Sequence, residues 1–269
     1  MGRNKKVALV TGSSRGIGRS IATELLKEGY CVILNGRDKY KLERTENELR
    51  IYSPEIYSIE CDISDANKAA QMITSIVNDH GSLDVVINNV GVSMRGDVAE
   101  LDPAVFQKVF LNNVIATMNV SIPSLQQIKK TKGSLIFISS VAGIRGLPGL
   151  SAYSASKMAL SAIADSLRLE EKHSGIHVGL ILVGKTEIDE GKITLMKDGT
   201  ESPLRSRAKE RVDSTEVVAK KVIRNLQKRR STTVLSPLGH ALYYLQRLSP
   251  ALTQLILLTF IHRFREGSK

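Results

Sequence analysis

The chain has 269 residues, 42% of them apolar, and a formal net charge of +11. This is a soluble globular composition with ample material for a core and no apolar run long enough to span a membrane. Low-complexity tracts and internal repeats are absent; aromatics make up only 4% and no nucleic-acid-binding motif occurs, so nucleic acid is not an expected partner.

The first apolar run, Val7–Val10, is too short for a signal sequence, and the opening M-G-R-N-K-K lacks the Ser/Thr of a myristoylation site. A cytoplasmic protein is expected. The run reads as a strand and leads into T11-G-S-S-R-G-I-G18. Helical periodicity follows through Ile17, Ile21, Leu25 and Leu26, and stops at Gly29. Tyr30–Leu34 and Ile56–Cys61 read as further strands around a charged helix, Lys39–Arg50. A helix over 65–80 closes at Gly81, and Leu83–Ile87 is a fourth strand. Pro103–Ile128 reads as a long helix that Pro123 should bend or break. Ser134–Ile138 and Ile176–Val183 are two more strands, separated by a helix over 152–172. Residues 184–213 lack clear periodicity. Ser214–Arg230 returns to helix, capped by Ser214 or Thr215, and a short strand near Thr232–Leu235 follows.

Continuous apolar strands alternating with helices imply βαβ units and a parallel sheet covered on both faces. With no linker between them, the units form one α/β domain. The expected architecture is a Rossmann-type doubly wound parallel sheet of about seven strands over residues 1–236, with a helical extension over 237–269.

A glycine loop between the first strand and the first helix is a dinucleotide signature. Gly12 permits the tight turn, Gly16 lets backbone approach a phosphate, and Gly18 lets helix and strand pack closely. The helix N-terminus supplies free N–H groups. An acid at the end of the second strand would accept bonds from a ribose 2′-OH. Here Gly36 stands at that place, followed by Arg37, with Arg15 in the loop. Two guanidiniums suit a 2′-phosphate, so NADP(H) is favoured over NAD.

Tyr153 and Lys157 lie four apart in S151-A-Y-S-A-S-K157, one helical turn, among small residues that leave room for a ligand. Cys31 and Cys61 lack metal spacing and read as buried thiols, with no histidine partner suggested. The five histidines show no ligand spacing, and no metal is expected.

Together, T11-G-S-S-R-G-I-G18, C61-D-I63, N88-N-V-G91, Asn113, S139-S140 and Y153-S-A-S-K157 resemble the short-chain dehydrogenase/reductase family over about residues 5–190. The resemblance implies Tyr153 as general acid/base, with Lys157 lowering its pKa and holding the nicotinamide ribose. It implies Ser140 as the hydrogen-bond partner of the substrate oxygen, and Asn113 as part of a proton relay through water and Lys157. Gly12, Ser14, Arg15, Gly16, Ile17, Gly18, Arg37, Asp62, Ile63, Asn89, Gly91 and Thr186 would join Tyr153 and Lys157 against the cofactor. The chemistry agrees: a phenol of ordinary pKa ~10 needs a neighbouring cation to work near neutrality.

The implied activity is NADPH-dependent reduction of a hydrophobic ketone or aldehyde, or its reverse, with a 3-oxoacyl thioester or keto-lipid as alternative substrate. A silent nucleotide-sensing or scaffold protein is the rival, against which the intact Asn113–Ser140–Tyr153–Lys157 set argues. The family also suggests a homodimer or homotetramer through helices near 103–130 and 152–172. Two departures stand out. I181-L-V-G-K-T186 replaces the family's proline by Val183 and brings Thr186 close behind Gly184; the loop beyond, about 187–212, is expected as a substrate lid. The apolar tail from Ala241 to Ile261, interrupted by Pro250, is expected to pack on the domain or dimerise, with peripheral membrane contact as the alternative.

Overall fold

The five residues Val7–Thr11 are all buried and form β1, an interior strand of the sheet. The computed structural model describes residues 5–189, 191–204 and 212–259. After β1 come α1 (Gly16–Lys27), β2 (Cys31–Gly36), α2 (Lys39–Leu49), β3 (Ile56–Glu60), α3 (Ala66–His80), β4 (Val85–Asn88) and β5 (Ser93–Met94). Then follow α4 (Pro103–Phe110), α5 (Ala116–Thr131), β6 (Ser134–Ser140), α6 (Ser151–Glu170) and β7 (His177–Val183). The chain continues through β8 (Ile193–Leu195), β9 (Glu201–Pro203), α7 (Thr215–Lys228), β10 (Thr232–Val234), α8 (Pro237–Leu248) and α9 (Pro250–Thr259).

Seven strands pair in the order β10-β7-β6-β4-β1-β2-β3, all parallel, with Val7 opposite Cys31 and Ser140 opposite Val183. The order reverses between β1 and β4, the switch point where open α/β sheets bind ligands at the strands' carboxyl ends. One face is covered by α3, α5 and α6 through Ile73, Val120 and Leu160. The other is covered by α1, α2 and α7 through Leu25, Leu42 and Val222. The inner strands are buried on both faces, which is why they read as continuous apolar runs, whereas β3 at one edge buries only Ile56.

The expected break at Pro123 does not occur. Proline removes one helical hydrogen bond, yet α5 runs through it, held by the buried Val120, Ser124 and Ile128. The irregularity lies earlier, in a π-helical turn over Leu111–Ile115 that contains Asn113.

The aperiodic stretch after β7 holds regular structure that its sequence does not announce. β8 and β9 form an antiparallel hairpin, and β8 pairs in parallel with β5, making a second, three-stranded sheet. Of the expected lid over 187–212, residues 190 and 205–211 lie outside the described residues, as do 260–269 of the expected extension. No helix among the described residues is long and apolar enough to cross a membrane.

Candidate active site

The glycine loop sits at the carboxyl end of β1. Gly12 and Gly16 adopt φ of +61° and +55°, the left-handed region that other residues enter only at a cost. At Gly18 the need is space: a Cβ would lie 2.3 Å from the Gly12 carbonyl and 2.6 Å from Asn89 Nδ2. Asn89 ties the loop to β4, donating through Nδ2 to the carbonyls of Thr11 and Gly12, both at 3.0 Å. Thr11 Oγ1 accepts from the Asn89 N–H at 3.0 Å. Ser14 is fixed by Thr45, whose hydroxyl donates to its carbonyl at 2.8 Å. Ile17, in the first turn of α1, packs on the core, and Arg15, at the helix N-cap, is exposed.

Gly16 faces an anion supplied by the chain itself: a Cβ there would stand 2.1 Å from Asp189 Oδ2. The carboxylate thus stands against the turn that opens α1, the end of a helix where free N–H groups favour an anion.

Beyond β2, Arg37 is exposed. Asp62 lies across from it at the end of β3, and its carboxyl is held below the ordinary range. Partial burial opposes this, but the Ser64 N–H and O–H bonds to Oδ1 and the charge of Arg37 outweigh it. Ile63 is buried, its carbonyl accepting from Asn119 Nδ2 at 3.0 Å.

The predicted tyrosine and lysine come together where β4, β6 and α6 meet. Lys157 is buried, and its Nζ donates to the Ile138 carbonyl at 3.0 Å. The same Nζ is 5.9 Å from the centre of the Tyr153 ring, so the two side chains do share one helix face. Burial, reinforced by the like charge of Lys192, pulls Lys157 down to about 8. Close approach of β6 and α6 fixes this placement. Ser139 Oγ donates to the Lys157 carbonyl at 3.0 Å, and a Cβ on Gly143 would lie 2.8 Å from that carbonyl oxygen. Ser140 ends β6, and its Oγ accepts from the Ala142 N–H at 3.1 Å.

Gly91 separates Lys157 from Asn113; a Cβ there would meet Lys157 Nζ at 3.1 Å and Asn113 Oδ1 at 3.3 Å. The Asn113 side chain is already engaged. Its Oδ1 accepts from Val92 N–H at 2.7 Å, and its Nδ2 donates to the Val92 carbonyl and to Ser156 Oγ. Ser156 in turn donates to the Tyr153 carbonyl at 2.7 Å. Ser156 thus links Asn113 to the backbone at Tyr153, a contact that the sequence reading missed; its only signal was a small residue beside Lys157. Tyr153 packs against a third apolar cluster of Met94, Val105, Val109, Ala152 and Leu195. Thr186 is buried, bridged in parallel to Asp213.

Both cysteines are free and buried. Contrary to the sequence reading, Cys31 has a histidine partner, with Sγ 3.8 Å from His80 Nδ1. Burial nevertheless pushes this thiol up to about 11, keeping it protonated and unreactive. No cluster of metal-ligating side chains occurs among the described residues.

Residues 6–194 match the family model described as short chain dehydrogenase. The chain belongs to that family. A Drosophila melanogaster dehydrogenase/reductase SDR family protein 7-like is 30% identical over 257 residues, 92% of this chain and 78% of the relative. The 3-oxoacyl-[acyl-carrier-protein] reductase FabG of Staphylococcus aureus strain Mu50 is 34% identical over 66% of this chain and 74% of its own. Among solved structures, a metagenomic short-chain oxidoreductase in complex with NADP is 28% identical, with a TM-score of 0.71 over 86% of this chain and 97% of that one. The short-chain dehydrogenase fold is matched more fully by one from Streptomyces avermitilis, at a TM-score of 0.81 over 98% of this chain and 99% of that one, with 24% identity. The chain is thus an oxidoreductase of this family.

Proposed function

We propose that this short-chain dehydrogenase is an NADPH-dependent reductase of hydrophobic ketones or aldehydes. The observation that carries the reading is a buried Lys157 ammonium held by a strand carbonyl 5.9 Å from the Tyr153 ring. A cation so placed favours the phenolate, which brings proton transfer at Tyr153 Oη into the neutral range. In reduction, Tyr153 gives its proton to the carbonyl oxygen while the Ser140 hydroxyl donates a hydrogen bond to the same atom. Lys157 stabilises the phenolate left behind. Asn113 and Ser156 hold the turn after β4 and the tyrosine helix in register. The dinucleotide supplies the hydride.

Residues of the glycine loop, with Asp62, Ile63, Asn89, Gly91 and Thr186, would hold that dinucleotide. Arg15 and Arg37, with no acid at Gly36, favour the 2′-phosphate, and the similar metagenomic oxidoreductase solved with NADP supports this choice. The β8–β9 hairpin, tied to β5 beside the site, serves as part of the substrate lid over about 187–212. The apolar cluster under Tyr153 favours a hydrophobic substrate. Exposed Phe106, Leu111, Ile115, Ile122 and Met158 on the helices of 103–130 and 152–172 offer a face for a second copy. The two buried thiols fit a reducing, cytoplasmic setting.

A second reading, reduction of a 3-oxoacyl thioester, is favoured by the 34% identity to the S. aureus FabG protein. Turnover of a panel of ketones, aldehydes and 3-oxoacyl thioesters with NADPH tests both. Tyr153→Phe should bind NADPH as the parent does and lose activity by about 10²–10⁴-fold. Unchanged turnover in that variant would overturn the mechanism. Failure of the parent to bind either nucleotide would overturn the function.

A further inference from the structure

Helices α2, α3 and α7 are capped by their own sequence: Asp38, Asp65 and Ser214 accept from N–H groups of the first turn. Helix α1 has no such cap. Its N-cap residue is Arg15, whose side chain makes no cap bond, and its first turn contains no acidic residue. The anion that stands there comes from far along the chain. Asp189, beyond the end of β7 and half-buried, places Oδ2 only 2.1 Å from where a Cβ on Gly16 would lie. Two residues on, a Cβ on Gly191 would be 3.4 Å from Arg15 Nη1, so the same stretch of chain also lies beside Arg15.

Asp189 is anchored from both sides. Before it, the Glu187 N–H donates to the Asp213 carbonyl at 3.1 Å, and Glu187 Oε1 accepts from the Thr215 N–H at 2.7 Å. After it, the Lys192 N–H donates to the Asp189 carbonyl at 3.2 Å, and the Lys192 carbonyl accepts from the Leu204 N–H at 2.8 Å. Ile193 then opens β8.

The second glycine of a dinucleotide loop is bare so that backbone can come close to the pyrophosphate. A carboxylate and a pyrophosphate cannot share that space. Both are anions drawn to the same helix end, and Asp189 already stands over Gly16.

We propose that Asp189 is a built-in competitor of the dinucleotide: its carboxylate holds the pyrophosphate place in the nucleotide-free protein and must swing out before NADPH binds. This rests on the reductase reading, since it takes the glycine loop to be a dinucleotide site. Whatever the carboxylate contributes to the empty protein is lost when the nucleotide enters, and so weakens its binding. Removing the carboxylate therefore moves two measurements in opposite directions: the free protein becomes less stable and the nucleotide binds more tightly.

Fluorescence titration with NADPH and thermal melting of the full chain, for the parent and for Asp189→Ala, test the competitor. The variant should bind NADPH about fivefold more tightly. Without nucleotide it should melt about 1–3 °C below the parent, because α1 has lost its anion. That gap should close as NADPH is added. Asp79→Ala removes an exposed anion at the C-terminal end of α3 and controls for net charge; it should leave NADPH affinity as it was. Weaker NADPH binding by Asp189→Ala overturns the proposal, since Asp189 would then help to hold the nucleotide. Unchanged binding overturns it too, since Asp189 would then be a bystander. Both of those results leave the dinucleotide site standing. If neither the parent nor the variant binds NADPH or NADH, the dinucleotide reading falls and the competitor falls with it.

Discussion

Strand β7 reads HVGLILV and helix α9 reads PALTQLILLT, both dominated by aliphatic side chains. All seven residues of β7 are buried between β6 and β10 and under helices on both faces, whereas α9 buries only Thr253. Apolar sequence by itself therefore does not assign a segment to the core. What separates the two is the supply of partners. A parallel strand gains neighbours on two edges and two faces, whereas a terminal helix gains only what its inward side can touch. For α9 that side offers Thr253 and a hydrogen bond through Gln254.

The sharpest way to break this contrast is to cut one large apolar side chain from each region. Phe137 of β6 is fully buried, so Phe137→Ala should cost about 3–5 kcal/mol of unfolding free energy through lost burial and a residual cavity. Leu255→Ala, on the exposed face of α9, should stay within about 0.5 kcal/mol. Urea unfolding of both variants checks the pair. A loss above about 2 kcal/mol at Leu255 would mean that α9 is packed in solution and that the contrast does not hold.

Lys157 is the exception inside the scaffold, a cation among buried residues. Its folded value of about 8 lies below the ordinary 10.5. Between these values the unfolded chain binds more protons than the folded one, so this group makes stability rise with pH across that window. Below pH 8 both states hold the proton, and the cost of burying it is fully present. Lys157→Met should therefore melt higher than the parent at pH 7, by about 1–3 kcal/mol, and the gap should close as pH approaches 10. The same variant should lose turnover. A variant destabilised at pH 7 would show that the bond to the Ile138 carbonyl outweighs the cost of burying the charge.

Much of the scaffold was legible because its signals are local and strong. Continuous apolar runs gave the inner strands of the parallel sheet, and glycines with left-handed torsions marked the turns. The cap of α7 was legible as Ser214 or Thr215, and it is Ser214, whose hydroxyl accepts from the Val217 N–H. Tyr153 and Lys157 were legible because helical spacing alone puts them on one face. Other features depend on contacts distant in sequence. The π-turn at Asn113 carries no signal comparable to that of Pro123, the residue that looked disruptive and is not. The β8–β9 hairpin is three residues per strand and gains order by pairing with Ser93 and Met94, about a hundred residues earlier. Ser156 acquires its role only when Asn113 arrives from another helix. The bonds of Arg145 to Gln246 and Gln254 span 101 and 109 residues, a separation no periodicity reports.

Exposure in the scaffold has a different meaning from exposure in the tail, and Arg37 is where that difference gives its smallest measurable effect. The side chain is exposed beyond the end of β2, yet its charge reaches Asp62, whose carboxyl it helps to hold ionised. A guanidinium in that position can bind a 2′-phosphate with charge-assisted bonds, but solvent screens it, so its contribution is modest. Arg37→Ser should weaken NADPH binding by about tenfold and leave NADH nearly unchanged, read by fluorescence titration of both nucleotides. The loss should shrink at high salt. Equal weakening of both nucleotides would place Arg37 in the architecture of the β2–α2 turn instead of at the phosphate. No change in either would leave Arg15 as the group that selects the cofactor. An exposed leucine on α9 and an exposed arginine after β2 are then separable by one criterion: the arginine's removal is felt by a soluble anion and relieved by salt, whereas the leucine's leaves the binding of both nucleotides as it was.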